Sequence, residues 1–172
     1  MNQPPLPSSR LQGWSPIVWW LTTLAWAGTI YAFSTGTYGG SFTGWLLQEV
    51  LEFFHIVVSP ATFRFVHHIL RKLAHLSEYA IFYMLLYGSF SGGQDFSWRG
   101  RKALAALAIA AIYSLSDEFH QLFVPGRGSS IVDCGIDSAG ATAGMLLVYV
   151  RARLVPAKAS NMTAAKASPA EK

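Results

Sequence analysis

The chain has 172 residues, of which 52% are hydrophobic and 13% charged, with a mean hydropathy of +0.32. Soluble domains are typically nearer a quarter charged, so this composition excludes a disordered chain, a coiled coil, a disulfide scaffold and an ordinary water-soluble enzyme. What remains is a small all-α integral membrane protein of one domain. The net charge of +4 and pI of 9.4 would suit nucleic-acid binding in a soluble chain. Here the basic residues stand at the ends of apolar runs, where they orient a membrane protein, and no nucleic-acid partner is expected. The single cysteine, Cys134, excludes an internal disulfide and a multi-cysteine zinc site.

Four apolar segments follow in chain order. The first runs from Ser15-Pro16 to Phe33, with Ser15 as N-cap and Pro16 at the first helical position. Its uncharged core spans roughly 25 Å at about 1.5 Å per residue, and its length and paired tryptophans argue against a cleaved signal peptide. The second, Leu73 to Phe90, ends at Gly92-Gly93 and carries His75 and Glu78 early. The third, Ala103 to Phe123, is uncharged up to Ser116 and then reads DEFHQLF before Pro125-Gly126. The fourth, Ile131 to Val150, begins with Asp133 and Asp137 and continues through small residues to Arg151.

The third and fourth segments are marginal spans by hydropathy, but a polar helix end enters a membrane when it faces the bundle interior and its charges pair. The distribution of basic residues sets the orientation. With both termini inside, Arg10, Arg99, Arg101, Lys102, Arg151, Arg153, Lys158, Lys166 and Lys172 lie on the cytoplasmic side, against Arg64, Arg71, Lys72 and Arg127 outside. All three polar helix ends then open to the outer face. The expected organisation is a cytoplasmic N-terminal segment over 1–15, a transmembrane domain over 16–152, and a disordered cytoplasmic tail over 153–172, in the inner membrane. The sequon at Asn161-Met162-Thr163 is inert on that side.

Between the first two spans, Leu46, Val50, Phe53, Phe54 and Val57 share one face, with Gln48, Glu49, Glu52 and His55 opposite. That spacing predicts an amphipathic helix in the outer interface, ending near Ser59-Pro60; a packed loop helix is the alternative. The following stretch, TFRFVHHILRKLAH, repeats basic residues every three or four positions and continues as a helix into the second span.

Three clusters carry the chemistry. Arg71, Lys72, His75, Glu78 and Tyr79 form the first; Asp117, Glu118, His120 and Gln121, followed by Pro125-Gly126-Arg127, form the second; Asp133 and Asp137 form the third. Helical spacing puts Lys72, His75 and Glu78 or Tyr79 on one face, Asp117, His120 and Gln121 on another, and Asp133, Asp137 and Gly140 on a third. Each charge costs about 2.5–3.5 kcal/mol on insertion scales, and leucine would pack as well. Two explanations fit: an internal salt-bridge network that fixes helix register, or a polar pocket at the outer face.

At these residues the chain resembles the VanZ-like membrane proteins. The matching blocks are RKLAHLSEYAIFYMLL at 71–86 and YSLSDEFHQLFVPGRGSSIVDCGIDSAGATAGMLL at 113–147. The resemblance implies several membrane helices and carries over Lys72, His75, Glu78, Asp117, Glu118, His120, Gln121, Pro125, Arg127, Asp133 and Asp137. The family's namesake is associated with low-level teicoplanin resistance; the resemblance does not carry resistance itself to this chain.

Cations beside carboxylates suit the headgroup of a membrane lipid or a lipid-linked cell-wall precursor. In this reading Arg71, Lys72 and Arg127 clamp phosphate, Asp117, Glu118 and His120 are candidate catalytic groups that hydrogen-bond or transfer a proton, and His75, Glu78, Gln121, Asp133 and Asp137 complete the binding site. Whether the chain turns a substrate over is left open, and the rival class is a non-catalytic protein whose charged network sets helix packing and partner binding. A metal site built from His75, Glu78, His120, Asp133 and Asp137 matches no ligand fingerprint, and a serine nucleophile at Ser77, Ser114 or Ser116 lacks a Gly-x-Ser-x-Gly turn. No metal or cofactor is expected. Gly140 and Gly144 form a small-residue face for close helix approach, within the chain by default and in a homodimer as the alternative.

Overall fold

A computed structural model of the chain describes residues 15–35, 39–93, 97–125 and 129–155. They form five helices with no strand among them: α1 (Pro16–Ser34), α2 (Gly39–Phe53), α3 (Pro60–Phe90), α4 (Gly100–Gln121) and α5 (Ile131–Leu154). The first 14 residues, Arg127, and the tail with its sequon lie outside the described residues.

Local chemistry explains the helix ends. Ser15 caps α1, its hydroxyl accepting from the amide of Val18, and Ser59 caps α3 by accepting from Thr62; proline occupies the first turn of both. Ser130 caps α5 in the same way through Asp133. At the far end of α3, Gly92 and Gly93 adopt φ of 69° and 67°. Their amides return to the carbonyls of Ser89 and Gly88, a paired closure that favours glycine because the backbone is left-handed there. The start of α4 has no capping side chain of its own. The Tyr87 hydroxyl does that work, accepting from the Arg99 amide at 3.0 Å and donating to the Ser97 carbonyl at 2.6 Å.

Two sequence expectations are corrected in detail. The amphipathic helix stops at Phe53 rather than near Ser59, because His55 takes φ 53° and the amides of His55 and Ile56 fold back onto Glu52 and Leu51. Phe54 and Val57 therefore stand beyond the helix, in the turn leading to α3. At the other end of the chain, α5 runs on to Leu154, with Arg151 and Arg153 in its last turn where cations offset the helix dipole.

The helices alternate in direction. Thr23 meets Ser89 and the Trp26 indole donates to the Glu78 carbonyl, so α1 is antiparallel to α3. The Tyr113 hydroxyl donates to the Ala27 carbonyl and Tyr31 lies against His120, so α4 runs with α1. Lys72 meets Asp133 and His75 meets Asp137, so α5 runs with α3. This alternation places the charged half of α3, the end of α4 and the start of α5 at one end of the bundle. α3 touches all four other helices, and its first turns extend toward α2, which is tied to it by a 2.9 Å hydrogen bond between Thr43 and His67.

The packing is inverted relative to a water-soluble bundle. Small residues line the seams: Ala103, Ala106, Ala110 and Ser114 on α4, and Gly140, Ala141 and Gly144 on α5, around Tyr79, Phe82, Tyr83 and Tyr87 of α3. Large aliphatics such as Leu21, Leu24, Leu104, Ile112, Leu146 and Leu147 point outward. Small seams with an apolar exterior are the arrangement of helices packed in lipid. The helices α1 and α5 are long and apolar enough to cross a membrane, with only 17% and 33% of their apolar windows buried. On α2 the apolar face is likewise turned outward, Phe42, Trp45, Leu46, Val50 and Phe53 being exposed while Leu47 packs inward.

The tightest seam is between α3 and α5. A Cβ on Gly140 would strike the carbonyl of Leu76, and one on Gly144 would lie 2.6 Å from the carbonyl oxygen of Ala80. The glycine face is thus occupied by α3 of the same chain. Gly140→Ala is expected to force α3 and α5 apart and to cost about 1–3 kcal/mol in detergent-phase unfolding. Gly28→Ala, where an added Cβ meets nothing within 4 Å, is expected to leave stability unchanged or raised by up to about 1 kcal/mol.

Candidate functional site

Close approach of α3 and α5 brings two charged pairs into register, one turn apart. The Lys72 ammonium lies 3.1 Å from Asp133 and the His75 ring, through Nδ1, 3.1 Å from Asp137. Asp137 is fully buried, and its second oxygen accepts from the Ser114 hydroxyl at 2.7 Å. One carboxylate therefore joins three helices. Ser114 also lies 3.4 Å from the Cys134 sulfur, which fills the same seam.

The α4 residues divide by helical angle. Asp117 and Gln121, one turn apart and both buried, bond to each other through the Gln121 amide nitrogen at 3.1 Å. Glu118 turns toward α5 and accepts from the Ser130 amide at 2.7 Å, fastening the start of that helix. His120 turns the other way, its ring 4.8 Å from that of Tyr31 on α1. The structure does not bring Glu118 and His120 to one place.

Between α1, α2, α3 and α4 lies a cavity of about 240 Å³. Arg71, His75, Glu78 and Asp117 form its polar side, joined by Ser34 and Thr43; Ile30, Phe33, Phe42 and Leu46 form its apolar side. The rings of Phe33 and Phe42 stack along this wall, bridging α1 and α2. A smaller recess of about 50 Å³ shares Arg71 and His75 and is completed by His68, Lys72 and Asp133.

The charged constellation thus separates into two parts. Lys72, Asp133 and Asp137 belong to the inter-helix brace, with His75 serving both brace and cavity; Arg71, Glu78 and Asp117 line the cavity. Gln121 supports Asp117 from behind, Glu118 holds the α4–α5 connection, and Arg127 lies outside the described residues. No cluster of three or more histidine, cysteine or acidic side chains among the described residues could hold a metal ion. Sequence reasoning missed Ser34, Phe33, Phe42 and Thr43 as cavity residues and treated Ser114 only as a nucleophile. Its place in the brace was signalled by its position one turn before Asp117.

The brace makes a stability prediction. Asp137→Ala strips His75 and Ser114 of a shared buried partner and is expected to cost about 3–5 kcal/mol in detergent-phase unfolding. The Lys72–Asp133 pair is partly exposed, at 28% and 15%. Replacing both of its members by leucine is therefore expected to cost less than removing either one.

The family model described as VanZ/LLP1 matches residues 19–152, most of the chain. No curated protein and no solved structure matches it. Taken with two membrane-length apolar helices and an all-helical bundle of inverted polarity, that match makes the chain a VanZ-like membrane protein, a member of the VanZ/LLP1 family.

Proposed function

We propose that the protein crosses the inner membrane four times, through α1, α3 from about Leu73, α4 and α5, and binds the headgroup of an envelope lipid in its polar cavity at the outer face. The observation that carries this reading is the amphiphilic cavity. One wall holds a guanidinium, an imidazole and two carboxyl groups, the other two phenylalanines and two aliphatic side chains. A lipid at the headgroup boundary presents that same division.

Helix lengths support the four-span reading. At about 1.5 Å per residue, the 19, 22 and 24 residues of α1, α4 and α5 each reach roughly 28–36 Å, close to the hydrocarbon thickness. The 31 residues of α3 reach about 46 Å, which leaves its basic first turns in the headgroup zone beside α2. The excess of Lys and Arg on the side of the termini supports a cytoplasmic location for both. In that orientation α2 lies at the outer interface, its exposed aromatics in lipid.

Recognition is better supported than turnover, since Glu118 and His120 face away from each other and neither lines the cavity. The rival reading, a charged network that only fixes helix packing, is favoured by the Lys72–Asp133 and His75–Asp137 pairs, and it accounts for those residues. It gives no reason for the cavity itself.

Native mass spectrometry of the purified protein is expected to show co-purifying lipid. Arg71→Gln removes a charge-assisted contact and should lower retention by about 10- to 100-fold. Equal retention by the variant, or no lipid on the wild type, would remove the reading, and lipid profiling of a deletion strain gives the cellular counterpart. Orientation is tested separately. Cys134 is buried and a poor probe, so a Glu49→Cys, Cys134→Ala protein is used. It is expected to react with an impermeant maleimide only from the outer side of sealed vesicles; labelling confined to the inner side inverts the topology.

A further inference from the structure

We infer that the small recess between α3 and the first turn of α5 is a phosphate site, in which His68 and Arg71 hold the oxyanion. The inference deepens the lipid-binding reading above and rests on it for the source of the phosphate, which it seats beside the cavity rather than within it.

The partners of the basic residues along α3 are the first ground. From His67 to His75 the helix carries His67, His68, Arg71, Lys72 and His75. Three of these are already fastened, His67 to Thr43, Lys72 to Asp133 and His75 to Asp137. His68 and Arg71 make no hydrogen bond or ion pair with the described residues. They share the helix face that continues through Lys72 and His75, and all four line the recess with Asp133. The half-buried Arg71 guanidinium presents a planar fork of N–H donors, to which the His68 imidazole adds another. Such donors, gathered at one opening without acceptors of their own, suit an oxyanion. The charge balance agrees. Asp133 is matched by Lys72, which leaves Arg71 as the surplus cation on the recess wall, while Glu78 and Asp117 line the cavity and not the recess.

Size is the second. A space of about 50 Å³ has room for roughly two waters at ~30 Å³ each, which suits one oxyanion and excludes a sugar ring.

Depth is the third. His68, Arg71 and Lys72 precede Leu73, where the membrane-spanning part of α3 begins in the proposed topology. A phosphate held there lies at the headgroup level with the acyl chains running inward from it, the orientation of a lipid in the outer leaflet. Arg71 and His75 line both spaces, so a phosphate in the recess lies next to the amphiphilic cavity.

The test is a native mass-spectrometric titration of the full-length protein with dioleoyl phosphatidic acid and with dioleoylglycerol, which lacks the phosphate. Inorganic phosphate is titrated separately by calorimetry. Phosphatidic acid is expected to bind about 10-fold more tightly than dioleoylglycerol. His68→Gln, which alters the recess and leaves the cavity lining intact, should weaken phosphatidic acid about 5-fold and leave dioleoylglycerol unchanged. Arg71→Lys, which keeps the charge and loses the fork, should weaken phosphatidic acid about 10-fold. Arg64, exposed on the same helix but outside the recess, supplies the control for diffuse surface charge, and Arg64→Gln is expected to bind as the wild type does. Equal binding of the two lipids, wild-type affinity in both recess variants, or a loss in Arg64→Gln as large as in His68→Gln overturns the phosphate site and leaves the broader lipid reading standing. Inorganic phosphate bound and weakened by His68→Gln, with neither lipid bound, upholds the recess for a free anion and removes the lipid reading. No binding of any of the three removes both. Helical circular dichroism identifies a variant that has unfolded, and the wild-type comparison of the two lipids stands without any variant.

Discussion

The absence of two β-carbons on α5 governs the polar end of the molecule. With Gly140 and Gly144 set against the backbone of α3 at Leu76 and Ala80, the two helices come closer than any larger residue would permit. Only at that separation do the short side chains of Asp133 and Asp137 reach Lys72 and His75 on the facing helix. Ser114 then completes the coordination of Asp137 from α4. In lipid, where apolar surface gains little by leaving its surroundings, steric fit and buried hydrogen bonds carry the association that the hydrophobic effect carries in water. The glycines come first in that order of dependence, and the ion pairs follow from them.

Because the brace consumes Lys72, Asp133 and Asp137, the remaining ionisable groups take on a separate character. Arg71, Glu78 and Asp117 lie on the other side of α3, and the gap they border is closed by side chains from α1 and α2. Ionisable groups in this bundle therefore have two placements: packed between helices on the α5 side of α3, and bordering a void on the α1 side. His75 sits at the boundary and belongs to both. A network that sets helix register and the cavity proposed to bind a polar group are thus neighbours on one helix, so the two readings need not compete for the same residues.

Much of this was legible in the residues. Ser15-Pro16 and Ser59-Pro60 announce helix starts through capping chemistry, and both helices begin there. The charge pattern also required the polar ends of α3, α4 and α5 to meet, and the antiparallel alternation brings them together. What escaped notice has physical causes. His55 ends α2 in a left-handed conformation usually marked by glycine, so periodicity alone carried the helix too far. Glu118 and His120 were grouped by proximity in sequence, yet residues two apart on a helix point about 200° apart. Ser34 and Phe42 lie on elements remote from the motif blocks, and only the folding of α2 back over α3 makes them part of the cavity. Of the four apolar segments, α1 and α5 are long and apolar enough to cross a membrane, the latter although hydropathy along the sequence made it a marginal span.

The inverted packing, with leucines outside and alanines, glycines and serines along the seams, bears on how the protein responds to temperature. Separating these helices within a bilayer transfers little apolar surface into water. The large heat-capacity increment that bends the stability curve of a water-soluble domain is accordingly small here. Cooling does not weaken a fold held by backbone contact and a shared carboxylate in the way it weakens one held by expelled water.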